Sequence, residues 1–182
     1  MAAPTITASF TLVIFFMSDL PSDTLIQNDT SITYQGPVQS QWIDYNGHMS
    51  EAYYVLVFGY ASDEVYEQIG CGSVYREQHQ CSIYTAESHI NYLQGVGDGI
   101  ELEVKTQLLE CSDKTLRLCH TMARRDNGEI LAFTELFVVF VDTQSERSKQ
   151  FPAAIRSNID TRISHDCQHP LPRWLQRRVG QR

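Results

Sequence analysis

From Ser50 to Ile69 the polar and apolar positions follow a helical period. Val55, Phe58, Ser62, Val65 and Ile69 recur at three- and four-residue steps and form one stripe, with Asp63, Glu64 and Glu67 off it. Gly70 stops this helix, and Cys71-Gly72 continues the turn. Gly59 inside it costs about 1 kcal/mol relative to Ala, which predicts close packing on a sheet. Around the helix the period changes to two. Ser31 to Gln39 reads as a short strand interrupted by Gly36-Pro37. Ser82 to Leu93 alternates, with Tyr84, Ala86, Ser88, Ile90 and Tyr92 on one face and Ile83, Thr85, Glu87, His89 and Asn91 on the other. Ile100, Leu102, Val104 and Leu108 alternate with charged and polar residues. Ser112-Asp113-Lys114 turns the chain into a strand from Thr115 to Arg124, and Arg125-Asp126-Asn127-Gly128 turns it again. Ile130 to Val141 is apolar almost throughout, as in a strand buried on both faces. The order predicts an α+β domain: a strand, a long helix, then an antiparallel run. One helix covers one face of such a sheet, so the other face or an edge meets a second copy, and a homodimer is expected.

The length of 182 residues fits one domain that builds its own core without a staple. With 14 Lys+Arg against 22 Asp+Glu the formal charge is −8, which argues against nucleic acid and anionic membranes as partners. No run reaches the roughly 20 apolar residues of a membrane span. Cys71, Cys81, Cys111, Cys119 and Cys167 are odd in number and form no CxxC pair, so buried reduced thiols in a cytoplasmic protein are expected, with no metal. His79, His120, His165 and His169 show no ligand spacing. Phe10 to Met17 is apolar but lacks a preceding Lys or Arg, so it is not read as a signal peptide; Met17 is the expected true start. Residues 1–29 are taken as a flexible N-terminus, 30–156 as the folded domain and 157–182 as a tail, mobile or with a short helix around Trp174.

Candidate chemistry concentrates between Trp42 and Tyr54. Asp44, Asn46 and His48 place a carboxylate, an amide and an imidazole at alternate positions just before the helix. A first helical turn leaves backbone N–H groups free, and a carbonyl oxygen held there is stabilised as it becomes an oxyanion. Gly47 permits a sharp turn and a close approach by substrate. Asp44 is then a general base toward water or a nucleophile. The same Asp-Tyr-Asn-Gly run also serves as ordinary turn and cap chemistry, in which side chains bond neighbouring N–H groups.

The run WIDYNGHMSEAYY, followed by a long helix and four antiparallel strands, resembles the hotdog-fold acyl-CoA thioesterases over roughly Ile32 to Pro152. Their D-x-N-G-H-[MV] element is matched by Asp44, Asn46, Gly47, His48 and Met49. The resemblance implies a five- to six-stranded antiparallel sheet wrapped around one long helix, and dimers that often pair again, so a homotetramer stands beside the homodimer. It also implies catalytic roles for Asp44, Asn46 and His48, as in the D-x-N-x-H set of plant acyl-carrier-protein thioesterases, and backbone oxyanion donors at Gly47, His48 and Met49. Two departures stand out. Trp42 occupies the position of the catalytic Asp of the 4-hydroxybenzoyl-CoA branch, and Asn91-Tyr92-Leu93-Gln94-Gly95 lacks the carboxylate of an "RYLRE"-like ending. Glu87 is the candidate to replace it.

The segments YTAESHINYL, LLECSDKTLRLCHTM and LAFTELFVVFVD further resemble the betainyl-CoA thioesterases of carnitine degradation, some of them fused to L-carnitine dehydrogenase. This implies an acyl-CoA substrate, betainyl-CoA, cleaved by water with no separate cofactor. A quaternary ammonium is recognised by aromatic faces. Trp42, Tyr45, Tyr53, Tyr54, Tyr84 and Tyr92 are the candidate substrate-binding residues, and Tyr residues equally fill the edges of any core. For the CoA phosphates Lys114, Arg117, Arg124, Arg125 and Arg147 to Lys149 are candidates.

Overall fold

A computed structural model describes residues 32–172 and 175. The expected start at Met17, the apolar run before it and the helix around Trp174 lie outside the described residues. Strands β1 (Ile32–Pro37), β2 (Cys81–Tyr92), β3 (Glu101–Cys111), β4 (Thr115–Arg124), β5 (Ile130–Asp142) and β6 (Arg147–Ser148) form one antiparallel sheet. Their order is β1-β3-β4-β5-β2, with β6 on β5. Helices α1 (Glu51–Gln68), α2 (Ser73–His79) and α3 (Ala153–Asp166) complete the fold. The expected sheet around a long helix is present, and two shorter helices join it.

Helix α1 buries Tyr54, Val57, Phe58, Ala61, Ser62 and Val65. This stripe is rotated from the expected one. Val55 stands 50% exposed, because Tyr54 turns inward and sends its hydroxyl to the Gln94 carbonyl at 3.1 Å. A Cβ on Gly59 meets nothing within 4 Å, so the expected close packing on the sheet does not account for this glycine.

Strand β2 departs from simple alternation at a bulge between Thr85 and Glu87. Ile83 and Thr85 pair with Phe140 and Val138, and Ser88, Ile90 and Tyr92 with Leu136, Thr134 and Ala132. All of these partners project toward the helices. Tyr84, Glu87, His89 and Asn91 share the opposite face with Val139, Phe137, Glu135 and Phe133. An extra residue exchanges the faces of everything after it, which puts Ile83 and Ile90 on one side.

The helix-side core has two lobes. Trp42, Met49, Tyr54, Val57, Phe58, Leu102, Val104 and Met122 pack near the start of α1. Val65, Ile69, Leu116, Leu118, Val138, Phe140, Ile155 and Ile159 pack near its end. Between them lies a polar chain. The fully buried His120 ring is 2.9 Å from Ser62 Oγ at Nε2 and 2.7 Å from Thr106 Oγ1 at Nδ1, and Thr106 meets Thr33 Oγ1 at 2.7 Å. Ser62 also reaches the Phe58 carbonyl at 3.0 Å, so helix and three strands share one satisfied network.

The boundary drawn at Ser157 falls inside α3, which is part of the domain as far as Asp166. Ile155 and Ile159 sit in the core. The buried Asp166 carboxylate accepts the Leu108 N–H at 2.8 Å and both bonds of the Arg162 Nε–H at 2.9 Å. Arg162 also donates to the Thr106 carbonyl and to Gln68 Oε1, which ties α3 to β3 and to the end of α1.

Candidate active site

The loop before α1 is built as a small closed hairpin. Ile43 and Met49 form an isolated bridge, and the Asp44 N–H donates to the His48 carbonyl at 2.9 Å. Asp44 Oδ1 accepts the Asn46 N–H at 2.7 Å, an Asx turn, and Gly47 at φ +78° lets the chain reverse. Trp42 and Met49 anchor the loop in the core. Ser50 donates its N–H to the Trp42 carbonyl and Met49 to the Val96 carbonyl, so the loop is pinned to the segment after β2.

These bonds decide which amides remain for a substrate. Gly47 donates to the Asp44 carbonyl at 3.0 Å and Met49 to Val96 at 2.8 Å, so two of the three expected oxyanion donors are already bonded and His48 is the third. Among the described residues, the His48, Glu51 and Ala52 amides have no acceptor, and the Ser50 side chain does not cap the helix. Residue patterns point to the first turn but do not reveal hydrogen bonds made across the fold, so spacing alone does not show that the Gly47 and Met49 amides are already bonded.

Asp44 is half-buried in the loop, and its Oδ1 is engaged by the Asn46 N–H. The His48 ring lies over Gly95, where an added Cβ would come within 2.9 Å of Cδ2. Next to Gly95, Gln94 receives the Tyr54 hydroxyl, and Tyr54 meets Tyr92 edge-on with ring centroids 5.4 Å apart. Tyr53 stacks on Trp42 at 5.5 Å. Three segments thus converge: the loop, the start of α1 and the end of β2.

Other expected site residues lie elsewhere or in other roles. Tyr45 is 96% exposed, at the tip of the turn that closes the loop. Trp42 and Tyr54 are buried as packing residues beneath Tyr53 and Tyr92. Tyr84 and Glu87 are on the face of β2 turned away from the helices, so one chain does not bring them to Asp44. The bulge after Thr85 explains why a single alternation misplaces residues on this strand. Arg117 is buried in an ion pair with Glu135 and a 3.0 Å bond to Glu110, which removes it from the CoA candidates. Arg124 is held by Asp126 at 2.7 Å.

Among the described residues no cluster of three or more His, Cys, Asp or Glu side chains is arranged to hold a metal ion, and no helix is long and apolar enough to cross a membrane.

A curled antiparallel sheet around α1, with an Asp-bearing loop at the helix start, defines a hotdog thioesterase architecture. Residues 38–159 match the family model of the thioesterase-like superfamily, and the chain belongs to that family. It is 34% identical over 148 residues to a betainyl-CoA thioesterase of Pseudomonas aeruginosa, a match covering 81% of this chain and 93% of that protein. It is 38% identical over 139 residues to an L-carnitine dehydrogenase/betainyl-CoA thioesterase of Agrobacterium fabrum, covering 76% of this chain and 28% of that longer protein. A crystal structure of a putative thioesterase from Pseudomonas putida superposes with a TM-score of 0.71 at 32% identity, covering 84% of this chain and 97% of that one.

Proposed function

We propose that the protein hydrolyses an acyl-CoA thioester, with betainyl-CoA as the substrate and glycine betaine and CoA as products. The observation that carries this reading is the half-buried Asp44 in the loop that leads into α1, where the His48, Glu51 and Ala52 amides have no acceptor among the described residues. The thioester carbonyl oxygen is placed on those amides, which stabilise the charge it gains. Asp44 takes a proton from water as the water oxygen bonds to the carbonyl carbon. The tetrahedral intermediate then breaks its C–S bond, and the departing sulfur receives the proton from Asp44. Asn46 and His48 orient the water and the thioester. No step needs a cofactor.

Aromatic faces at the site and two relatives named for betainyl-CoA thioesterase activity support this acyl group. Tyr53 and the 46% exposed Tyr92 present rings beside the loop, and a trimethylammonium group gains about 0.5–2 kcal/mol at such a face. Lys114, Arg125, Arg147 and Lys149, the last 3.7 Å from Asp142, are the exposed cations among those candidates for the CoA phosphates. Two copies pair through β2, a long strand that among the described residues has a neighbour on one side only. Five free cysteines fit a reducing cytoplasm.

The test is Asp44→Asn with a panel of CoA thioesters, followed by free-thiol release. Asn keeps an oxygen for the Asn46 amide, so folding is preserved while turnover falls by about 10²–10⁴ and CoA affinity stays. Cleavage of betainyl-CoA no faster than acetyl-CoA refutes the substrate. Undiminished hydrolysis by Asp44→Asn refutes the mechanism, and wild-type binding of CoA without hydrolysis marks a non-catalytic binding protein.

A further inference from the structure

A betainyl thioester sets an electrostatic problem at the start of α1. One methylene joins its ammonium nitrogen to the reacting carbonyl carbon, the same N–C–C framework as a peptide backbone, so the two atoms stand about 2.5 Å apart. The amides and dipole of a first helical turn favour the oxyanion and oppose a cation held that close. A trimethylammonium group has no N–H to donate, so aromatic faces and opposite charge are what hold it. The cation therefore needs a carboxylate beside the reacting centre that stays ionised throughout. Asp44 does not fill that role, because it becomes neutral when it takes the proton from water.

We propose that the Glu51 carboxylate and the Tyr92 ring together seat the trimethylammonium group, and that Glu51 selects a cationic acyl group over a neutral one of the same shape. The inference rests on the betainyl-CoA hydrolysis proposed above and adds the residue that recognises the acyl group. Glu51 opens α1 and is the acid of its first turn. It stands three residues before Tyr54, on the same side of the helix. Tyr54 meets Tyr92 edge-on with ring centroids 5.4 Å apart, so helix and strand bring Glu51 and Tyr92 to one side of the site. The Tyr92 hydroxyl is held above its ordinary pKa, first by burial and then by the Glu51 carboxylate, which lies near enough to oppose a second negative charge. Tyr92 is half-buried to exposed and Glu51 is exposed, so both reach solvent where a substrate would enter. An acid in a first turn supports its helix in any case. A half-open aromatic ring beside it gives this one a second use. Among the described residues no hydrogen bond or ion pair occupies the Glu51 carboxylate, whereas Glu64, further along α1, accepts a bond from Gln68 Nε2 at 3.1 Å. Glu87 lies on the face of β2 turned away from the helices and does not compete for the role within one chain.

The test compares betainyl-CoA with tert-butylacetyl-CoA, in which carbon replaces the ammonium nitrogen and the shape is kept. The full chain is assayed by free-thiol release, and the readout is the ratio of kcat/KM for the two thioesters. A ratio cancels whatever a substitution does to the steps that both substrates share. The wild type should favour betainyl-CoA by about tenfold or more. Glu51→Gln keeps the backbone amide and the side-chain length, and should lower the ratio by about five- to tenfold, mainly through KM for betainyl-CoA. Glu51→Asp should restore part of it. Glu64→Gln removes the same charge about 20 Å further along the helix and should leave the ratio where it was. If Glu51→Gln turns over neither thioester, the two binding constants measured in the Asp44→Asn background give the same comparison. An unchanged ratio in Glu51→Gln overturns the role of Glu51 while betainyl-CoA stands as the substrate. A wild type that cleaves both thioesters equally well overturns the betainyl reading and this inference with it.

Discussion

His120 offers the sharpest physical test of the core. Its ring is fully buried, its neighbours are Ser62, Thr106 and the Phe58 ring, and none of them carries charge. Burial pushes its pKa from 6.5 down to about 3. The folded chain therefore binds fewer protons at this site than the unfolded chain between those two values. Stability is fully present above pH 6.5 and drains away as the pH falls, by about 1.4 kcal/mol per unit. Going from well above pH 6.5 down to pH 4.5 removes roughly 2–3 kcal/mol from this residue alone. Carboxylates also titrate in that range, so the measurement must be a difference. His120→Gln serves, because it cannot take up a proton, while Ser62 keeps the Phe58 carbonyl and Thr106 keeps Thr33. At pH 7.5 it should cost about 1–3 kcal/mol in urea unfolding through imperfect replacement of two hydrogen bonds. By pH 4.5 the gap should have closed or reversed. A gap that stays constant from pH 7.5 to 4.5 would mean that the imidazole is not held neutral in the core, and the network described above would be wrong.

Other consequences follow from individual contacts. Gly95→Ala pushes a methyl group into the His48 ring, so acyl-CoA turnover should fall more than tenfold while the melting temperature barely moves; equal activity would separate His48 from the site. Asp166→Ala strands the Arg162 guanidinium and the Leu108 N–H, and should cost about 3–5 kcal/mol in chemical denaturation. Ile159→Ala, in the same helix, should cost about 2–5 kcal/mol; a value near zero would show α3 detached from the core. Tyr53→Leu keeps apolar cover over Trp42 but removes the π face, and should raise KM for betainyl-CoA severalfold while leaving acetyl-CoA unchanged.

The periodic parts of the chain were legible because periodicity reports burial. The Asp44 to Met49 turn, the helix after it and the four long strands occur where residue pattern and turn chemistry put them. The misread features depend on relations that local spacing hides. Ile83 and Ile90 lie an odd number of positions apart, so both can face the core only if the strand slips; that signal was present, and the bulge realises it. Ile155, Ile159 and Ile163 recur at one helical step, but the polar residues between them mask α3, whose anchor Asp166 resembles any surface acid until its partners are known. Gly47 and Met49 looked available for catalysis because their acceptors, the Asp44 and Val96 carbonyls, are fixed by the folded loop.

The two borders of the sheet are unlike. β2 runs for 12 residues, whereas β1 has 6, carries an irregularity near Ile32 and ends at Pro37, which has no N–H to offer. A copy that docks along the long border finds no equivalent invitation at the far side. Under the pairing proposed along β2, lateral recruitment would then end after a single event rather than grow into an open-ended ribbon.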